Sequence, residues 1–517
     1  MWSSFVGNVS RFLFEDRNTC FDILALSYNQ LPRELKLCFL YVGVFPEDFE
    51  IPVRHLTQLW IAEGFIPVRN GINRKLEEDM GIAELYLAEL IDRSLIQIAR
   101  RRSDGGVKTC RIHDLIRDFC INVSMEEKLF EVHADADLLS SSCNNNTIKA
   151  RRLSFQGNIS HSTSSATTLG SLSIRSVLSF HVIEEYNCMK YLEWILKHFR
   201  FIRVLSLEKF PSDSSIIPKG IEKLIFLRYL RISSSDDVSI FIKSIPSSIC
   251  KLLYLETIHI RGRVEKPLPK SIWMMKQLRH LNVTRGLGLS NPWSWTTKLL
   301  GDDDHALSNL QVLSNLTVSP TTELLFSKSS LFPNLRKLHL IFDHPKYSDA
   351  SKILASLQGS NNFQNLKTLK LEILKFGHAL DLFPSVLTKI TFMDCRLDSD
   401  HVKILGKLPN LRILKISFYR LPDKSRMLSV MAGEFPQLEA FQMINCFGIE
   451  RWEMEMHAMP NLQRLVIKGC YGLRSLPHQL WSLTHLRLVE VSGSISEELN
   501  KELKELKMKD GCKLIIS

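Results

Sequence analysis

Apolar residues follow two different periods along this chain. Up to about residue 130 they recur at helical intervals. Beyond a polar stretch containing Ser140-Ser141-Ser142 and Asn144-Asn145-Asn146 they recur as a triplet at i, i+3 and i+5. Phe21, Leu24, Ala25 and Tyr28 share one helical face, and Leu31-Pro32 restarts the chain with proline suited to a first helical position. Leu35, Cys38, Phe39 and Val42 predict a second helix, which Phe45-Pro46 breaks because proline disfavours the helical region for its predecessor. Pro52 opens a third helix through Leu56, Leu59 and Trp60, with Gly64 at its C-terminal cap. Asn73 is placed to cap a fourth, whose Leu76, Met80, Ala83, Leu87 and Leu90 form one stripe. Residues 95–101 and 107–112 predict strands turned at Asp104-Gly105-Gly106, and a β-hairpin appended to a helical bundle is a winged helix.

The triplets include Ile202/Leu205/Leu207, Leu227/Leu230/Ile232, Leu255/Ile258/Ile260, Leu335/Leu338/Leu340, Leu411/Leu414/Ile416 and Leu462/Leu465/Ile467. Many consecutive starts lie 23 to 28 residues apart, the leucine-rich-repeat period, and about fourteen units are countable. Ile217-Pro218, Ile245-Pro246, Leu268-Pro269 and Leu476-Pro477 precede their strands by a similar interval. Each unit predicts one strand of a parallel sheet on the concave face of a horseshoe. Ser496 is placed to start a terminal helix through Leu499, Leu503 and Leu506, stopped at Gly511, with Leu514-Ile515-Ile516 as a last strand that closes the open edge. The fold class is therefore α+β, a helical winged-helix domain followed by a leucine-rich-repeat solenoid. The boundaries are 1–18 for the tail of a preceding helical subdomain, 19–133 for the winged helix, 134–149 for a linker and 150–517 for the repeats.

Outward strand positions on such a support are the default place for function. Strand centres hold Arg231, His259, Asn282, His339, Lys370 and Lys415, and the position after the first leucine is often basic, as at Arg203, Arg228, Arg279, Arg336, Lys367, Arg412 and Arg487. Partner binding is accordingly assigned to Arg203, Arg228, Arg231, His259, Arg279, His339, Lys370 and Lys415. Two interpretations stand: a solvated face whose arginine stems cover apolar edges, or a basic inner ladder for an acidic protein or for domains preceding this chain.

At the join, Ile112-His113-Asp114 ends a strand and opens a helix. By spacing alone His113 and Asp114 are a helix start and a first-turn acid. A helix N-terminus also offers free N–H groups to a phosphate, toward which an imidazole N–H can donate.

A formal charge of +11 over 517 residues, carried by scattered Lys and Arg, gives no case for nucleic-acid binding. Eleven cysteines without a Cys-x-x-Cys spacing fit a reducing compartment. The start lacks a signal-peptide pattern, and no apolar run reaches the roughly 18 residues of a membrane span.

The segments 24–32 (Leu-Ala-Leu-Ser-Tyr-Asn-Gln-Leu-Pro), 38–48 (Cys-Phe-Leu-Tyr-Val-Gly-Val-Phe-Pro-Glu-Asp) and 59–65 (Leu-Trp-Ile-Ala-Glu-Gly-Phe) resemble, in this order, the winged-helix part of plant NB-ARC leucine-rich-repeat immune receptors. The likeness is to the coiled-coil class of the nightshade family, such as the late-blight resistance group. Ile112-His113-Asp114 falls where that family carries Met-His-Asp, and Ile for Met conserves volume. The resemblance implies that His113 contacts the phosphate of bound ADP and holds the receptor off until ATP replaces it, with Asp114 setting the geometry or capping the helix.

A phosphate cradle needs Gly-x-x-x-x-Gly-Lys-Ser/Thr, and the 517 residues contain none; Gly406-Lys407 is followed by Leu408. The resemblance therefore implies the C-terminal portion of a receptor, binding no cofactor by itself although the full-length family uses ADP and ATP, and not an enzyme. Implied partners are a pathogen effector, a guarded host protein and the receptor's own N-terminal domains. Neither nucleic acid nor stable membrane insertion is expected, and the location is cytoplasmic, with peripheral membrane association allowed for. The alternative function is a leucine-rich-repeat adaptor such as a ubiquitin-ligase substrate receptor. DNA binding has only Arg100-Arg101-Arg102 of the wing in its favour, and Cys110 with His113 is too small a set for a metal.

Overall fold

The structure is a computed structural model. It describes residues 17–67, 77–102, 104–133, 150–157, 173–180, 185–210, 217, 220–234, 241–242, 244–292, 307–327, 331–342, 351–359, 363–372, 383–395, 399–417, 426–505 and 512–516. The 134–149 linker, the Asn73 cap, residues 1–16 and the Leu506 to Gly511 end of the terminal helix lie outside these. The chain divides into two compact units. The first is Met1–Arg102, Val107–Asp237 and Tyr254–Thr257; the second is Ser103–Gly106, Val238–Leu253 and Ile258–Ser517.

In the first unit, helices α1 (Arg17–Asn29) and α2 (Arg33–Tyr41) are separated at Leu31-Pro32, as the proline predicts. Helix α3 (Val53–Glu63) stops where Gly64 takes a φ of 80°. Helix α4 (Glu77–Asp92) buries Ala83, Leu87 and Leu90. Strands β2 (Gln97–Arg101) and β3 (Val107–Arg111) form the wing, and β1 (Ile51–Pro52) pairs antiparallel with β3. Helix α5 (Asp114–Glu126) follows directly.

The repeat sheet begins earlier than residue 150. Strand β4 (Glu131–His133), inside the segment assigned to the winged helix, pairs parallel with β5 (Arg152–Phe155), Glu131 opposite Leu153. Three residues are too few to carry the i, i+3, i+5 triplet, so the pattern did not reveal it. Strands β6 (Ser176–Ser179), β7 (Val204–Phe210) and β8 (Tyr229–Ser234) continue in parallel, with α6 (Glu185–His198) between β6 and β7. Leu178, Phe180, Val204 and Tyr229 from these strands lie in one buried cluster with Phe39, Phe45 and Trp60 of the winged helix. Helix α3 packs across β7 and β8. The outward positions Ser154, Ser176, Ser206 and Tyr229, expected on an open concave face, are buried instead. They are small or aromatic because another domain sits on them.

In the second unit β9 (Phe241–Ile242) pairs parallel with β10 (Thr257–Val264). A run of parallel neighbours then joins β11 (His280–Leu287), β12 (Val312–Thr317), β13 (Lys337–Ile341), β14 (Thr368–Glu372), β15 (Lys389–Met393) and β16 (Ile413–Ser417). The side strands β17 (Met427–Val430) and β19 (Arg451–Met454) pair with each other, while β18 (Ala440–Ile444), β20 (Arg464–Lys468), β21 (Leu488–Ser492) and β22 (Lys513–Ile516) extend the main run. Leu338, Leu369, Ile390, Leu414, Phe441, Leu465 and Val489 stand in register and are buried, which is what the triplet encodes.

A second ladder ties the repeats from outside the strands. The side-chain amides of Asn309, Asn334, Asn365, Asn410 and Asn461, each directly before a first leucine, donate to carbonyls of the preceding repeat at 2.7 to 3.0 Å. At the far end the Ser496 hydroxyl accepts the Leu499 N–H and starts α7 (Glu497–Glu505).

Leu414→Ala should cost roughly 2–5 kcal/mol, the range for emptying a buried leucine site. Because each repeat supports only its neighbours, hydrogen exchange should rise in β15, β16 and β18 and stay unchanged in the winged helix. A uniform rise over the whole chain would contradict this.

Candidate functional site

His113 is the N-cap of α5. Its backbone is extended (φ −75°, ψ 144°), and its Nδ1 accepts the Leu115 N–H at 3.3 Å. The cap is thus the imidazole and not the Asp114 carboxylate, which occupies the exposed first helical position. An accepting Nδ1 leaves the ring proton on Nε2, so His113 presents one N–H donor away from its own helix. Ile112, in the methionine position, is buried and anchors the turn.

The winged helix is held to the first repeats by buried polar groups. The Glu63 carboxylate, fully buried at the end of α3, receives Arg152 Nε at 2.8 Å and the Ser176 hydroxyl. Arg152 also donates to the Leu129 carbonyl at 3.3 Å and lies 4.8 Å over the Phe65 ring. Ser154 Oγ donates to the Val44 carbonyl at 2.6 Å, and Arg117 bridges the Phe45 carbonyl and Gln156 at 2.8 Å each. His55 Nδ1 meets the Tyr229 hydroxyl at 2.7 Å. The sequence does not reveal these pairings, since the members of each pair lie far apart along the chain.

The basic positions divide into three kinds. Arg203 and Arg228 belong to a row the sequence only partly revealed: Arg151, Arg175, Arg203 and Arg228 each stand immediately before β5, β6, β7 and β8. Their backbones are linked in turn, the N–H of each donating to the carbonyl of the one before at 2.6 to 2.8 Å. The next position is Glu256. Among the described residues none of the four side chains has a carboxylate partner. Burial, and then the flanking arginines, push the pKa of Arg175 and Arg203 down, with Glu63 pulling the other way. Neighbouring strands are about 4.8 Å apart, so this is a stack of like charge, which the nearby Glu63 offsets in part.

Arg231 is different: it is half-buried and paired with Glu208 on the adjacent strand. His339 and Lys370 are likewise engaged, at 3.1 and 3.5 Å from Glu372. Lys415 stands in a cross-strand row running His339, Lys370, Thr391, Lys415, Gln442, Val466, Glu490, so the inner ladder loses its basic character halfway. His259 Nδ1 lies 3.4 Å from the Asn282 amide, and Arg279 is buried. Several members of the expected basic inner ladder are thus already engaged within the fold. Acidic residues of neighbouring strands neutralise several of its members, and only register reveals such pairs.

Beside the arginine row the ladder asparagine is replaced. Phe201, Phe226 and Tyr254 take that position and are 50%, 39% and 55% exposed, the two phenylalanine rings stacked at 5.9 Å. The first unit thus places an exposed aromatic two residues before the basic position in two successive repeats, Phe201 with Arg203 and Phe226 with Arg228, where several repeats of the second unit have an asparagine bonded to the fold.

A model described as the leucine-rich repeat region matches residues 174–509, and one described as the disease resistance protein winged helix domain matches 44–120. The first match spans more than half of the chain, so the chain belongs to the leucine-rich-repeat family, and its winged helix matches that of disease resistance proteins. It is 30% identical over 514 residues to a putative late blight resistance protein homolog of Solanum demissum, covering 95% of this chain and 36% of that protein. Similarity to the late blight resistance protein R1-A of the same species is 30% over 527 residues, 95% and 36% of the two chains. To the probable disease resistance RPP8-like protein 2 of Arabidopsis thaliana it is 29% over 511 residues, 92% and 52%. The chain therefore spans about a third to a half of these relatives. They support the resistance-protein reading and not the ligase-adaptor alternative. No helix among the described residues is long and apolar enough to cross a membrane.

Two outcomes test these assignments. Glu63→Ala or Arg152→Ala should each destabilise the chain by about 3–5 kcal/mol, by leaving the other charge buried and alone. The double replacement Glu63→Ala/Arg152→Ala should cost less than the two single changes together in denaturant unfolding, and strict additivity would show that the pair is uncoupled. Glu372 has its pKa held below the ordinary glutamate value, chiefly by the His339 hydrogen bond and further by Lys370. Such a group stabilises the fold above its unfolded pKa, and the contribution is lost as the pH falls through the folded one. Glu372→Gln should accordingly lower the melting temperature at neutral pH and lose its effect in acid below the glutamate range. An equal deficit at both ends would exclude the charge as its cause.

Proposed function

We propose that this chain is the recognition and restraint portion of a plant innate immune receptor. In this reading it binds proteins rather than performing catalysis. Its partners are a pathogen effector, a guarded host protein or the receptor's own N-terminal domains, and it works in the cytoplasm, with peripheral membrane association as a second location. The observation that carries the proposal is the paired row of the first unit, Arg151, Arg175, Arg203 and Arg228 beside exposed Phe201, Phe226 and Tyr254. A stack of like charges and an unbonded aromatic stripe both raise the free energy of the isolated fold, and an occupant with acidic and apolar faces relieves both. Arg231, His339 and Lys370, each paired already, contribute less to such binding than Arg203 and Arg228.

The nucleotide part of the proposal concerns His113 and Asp114. The exposed N-cap position and the Nε2–H tautomer of His113 fit a hydrogen bond to a phosphate oxygen, and Asp114 would shape the first turn beneath it. Bound ADP or ATP would supply the phosphate charge to which the latch responds. His113 gives one donor, and the many amides of a P-loop have no counterpart in these 517 residues.

The test is an amphipathic helix of about 18 residues built from leucine and glutamate, titrated into the chain. It should bind the parent and bind Arg203→Glu/Arg228→Glu at least about tenfold more weakly, corresponding to about 1.4 kcal/mol. Arg412→Glu, at an equivalent site already paired with Glu439, should change little. Equal binding by parent and double variant would remove the arginine row from the proposal.

A further inference from the structure

Helix α4 carries a second stripe besides the one that faces the core. Leu85, Ala88, Glu89 and Asp92 recur at i, i+3, i+4 and i+7, one full helical face, and all four are exposed. A solvent face of a helix is ordinarily polar, yet Leu85 is 69% exposed. This stripe lines a groove of about 570 Å³ together with Tyr86 of the same helix and with Pro32, Glu34 and Leu35 at the start of α2. The lining therefore combines apolar side chains with three carboxylates and no base. That is a local concentration of negative charge in a chain whose formal net charge is +11. Glu89 has Arg93 as an exposed partner, worth little, and among the described residues Glu34 and Asp92 have no cationic partner.

We propose that this α2–α4 groove is a docking site for a basic amphipathic helix of a partner protein. The partner's apolar stripe lies on Leu85, Ala88 and Pro32. Its lysines or arginines reach Glu34 on one wall and Glu89 and Asp92 on the other. A groove between two helices is shaped for a third laid along it, with anchors at helical spacing. The charge pattern selects the partner's sign, and the exposed leucine supplies the apolar contact at the centre. The site is separate from the arginine and aromatic rows, which select the opposite sign, so the two surfaces distinguish their occupants by charge.

The whole chain is titrated calorimetrically, at physiological salt, with an amphipathic helix of about 18 residues made of leucine and lysine. One helix should bind per chain. Glu89→Lys/Asp92→Lys should weaken it about tenfold or more, and Leu85→Ser about fivefold. Glu34→Lys, on the opposite wall and outside α4, should weaken it in the same direction, so that the result does not depend on the integrity of one helix. Arg203→Glu/Arg228→Glu should leave this binding unchanged, which separates failure here from failure of the arginine row. The proposal is overturned if the leucine–lysine helix does not bind, or binds parent and groove variants alike. It is also overturned if sedimentation finds the chain self-associated and Leu85→Ser disperses it, since the occupant is then a second copy.

Discussion

Glu63 carries the join on which the arrangement of the first unit depends. It is the last residue of α3, where the helix dipole disfavours a carboxylate, and it is fully buried, where an unpaired charge is untenable. Arg152 and Ser176, from two successive repeats, satisfy it. Helix α3 thereby lies against the strands, and the outward positions of β5 to β8 become the floor of a domain interface instead of an open binding face. The serines at 154, 176 and 206 fit this setting, since larger side chains there would hold α3 off.

Once that face is covered, function in the first unit moves to the edge of the sheet. The residue before each strand stays accessible, and four successive arginines occupy it. Two places before Arg203 and Arg228 the asparagine that bonds the previous repeat elsewhere gives way to an exposed phenylalanine. In the second unit the same positions serve the fold, through the asparagine ladder and through ion pairs such as Arg412 with Glu439. One repeat motif thus supports two uses, and the neighbours of each position decide which.

The segment around His113 shows how one residue can cap a helix and still present an outward donor. His113 ends a strand and starts a helix by accepting the Leu115 N–H, which commits its proton to Nε2. The capping bond and an outward donor are therefore compatible, whereas capping through Asp114 would leave the imidazole orientation undetermined.

The residue pattern by itself determined the repeats, the winged helix and the place of His113, because each is written in local periodicity. The i, i+3, i+5 triplet can be satisfied only by one inward strand per turn, and Pro32, Gly64 and Gly105 mark breaks whatever surrounds them. The length of the first repeat strand, β4, escaped because three residues carry no period. Tertiary structure alone decided which charges are free. Arg203 and Arg231 look alike in the sequence, yet one stands in a stack of arginines and the other is paired with Glu208 on the adjacent strand. Likewise His339 and Lys370 share Glu372, a partner fixed by strand register. Local sequence sets where a side chain points along its own strand; what it meets there comes from segments tens to more than a hundred residues away, as Ser154 and Val44 do.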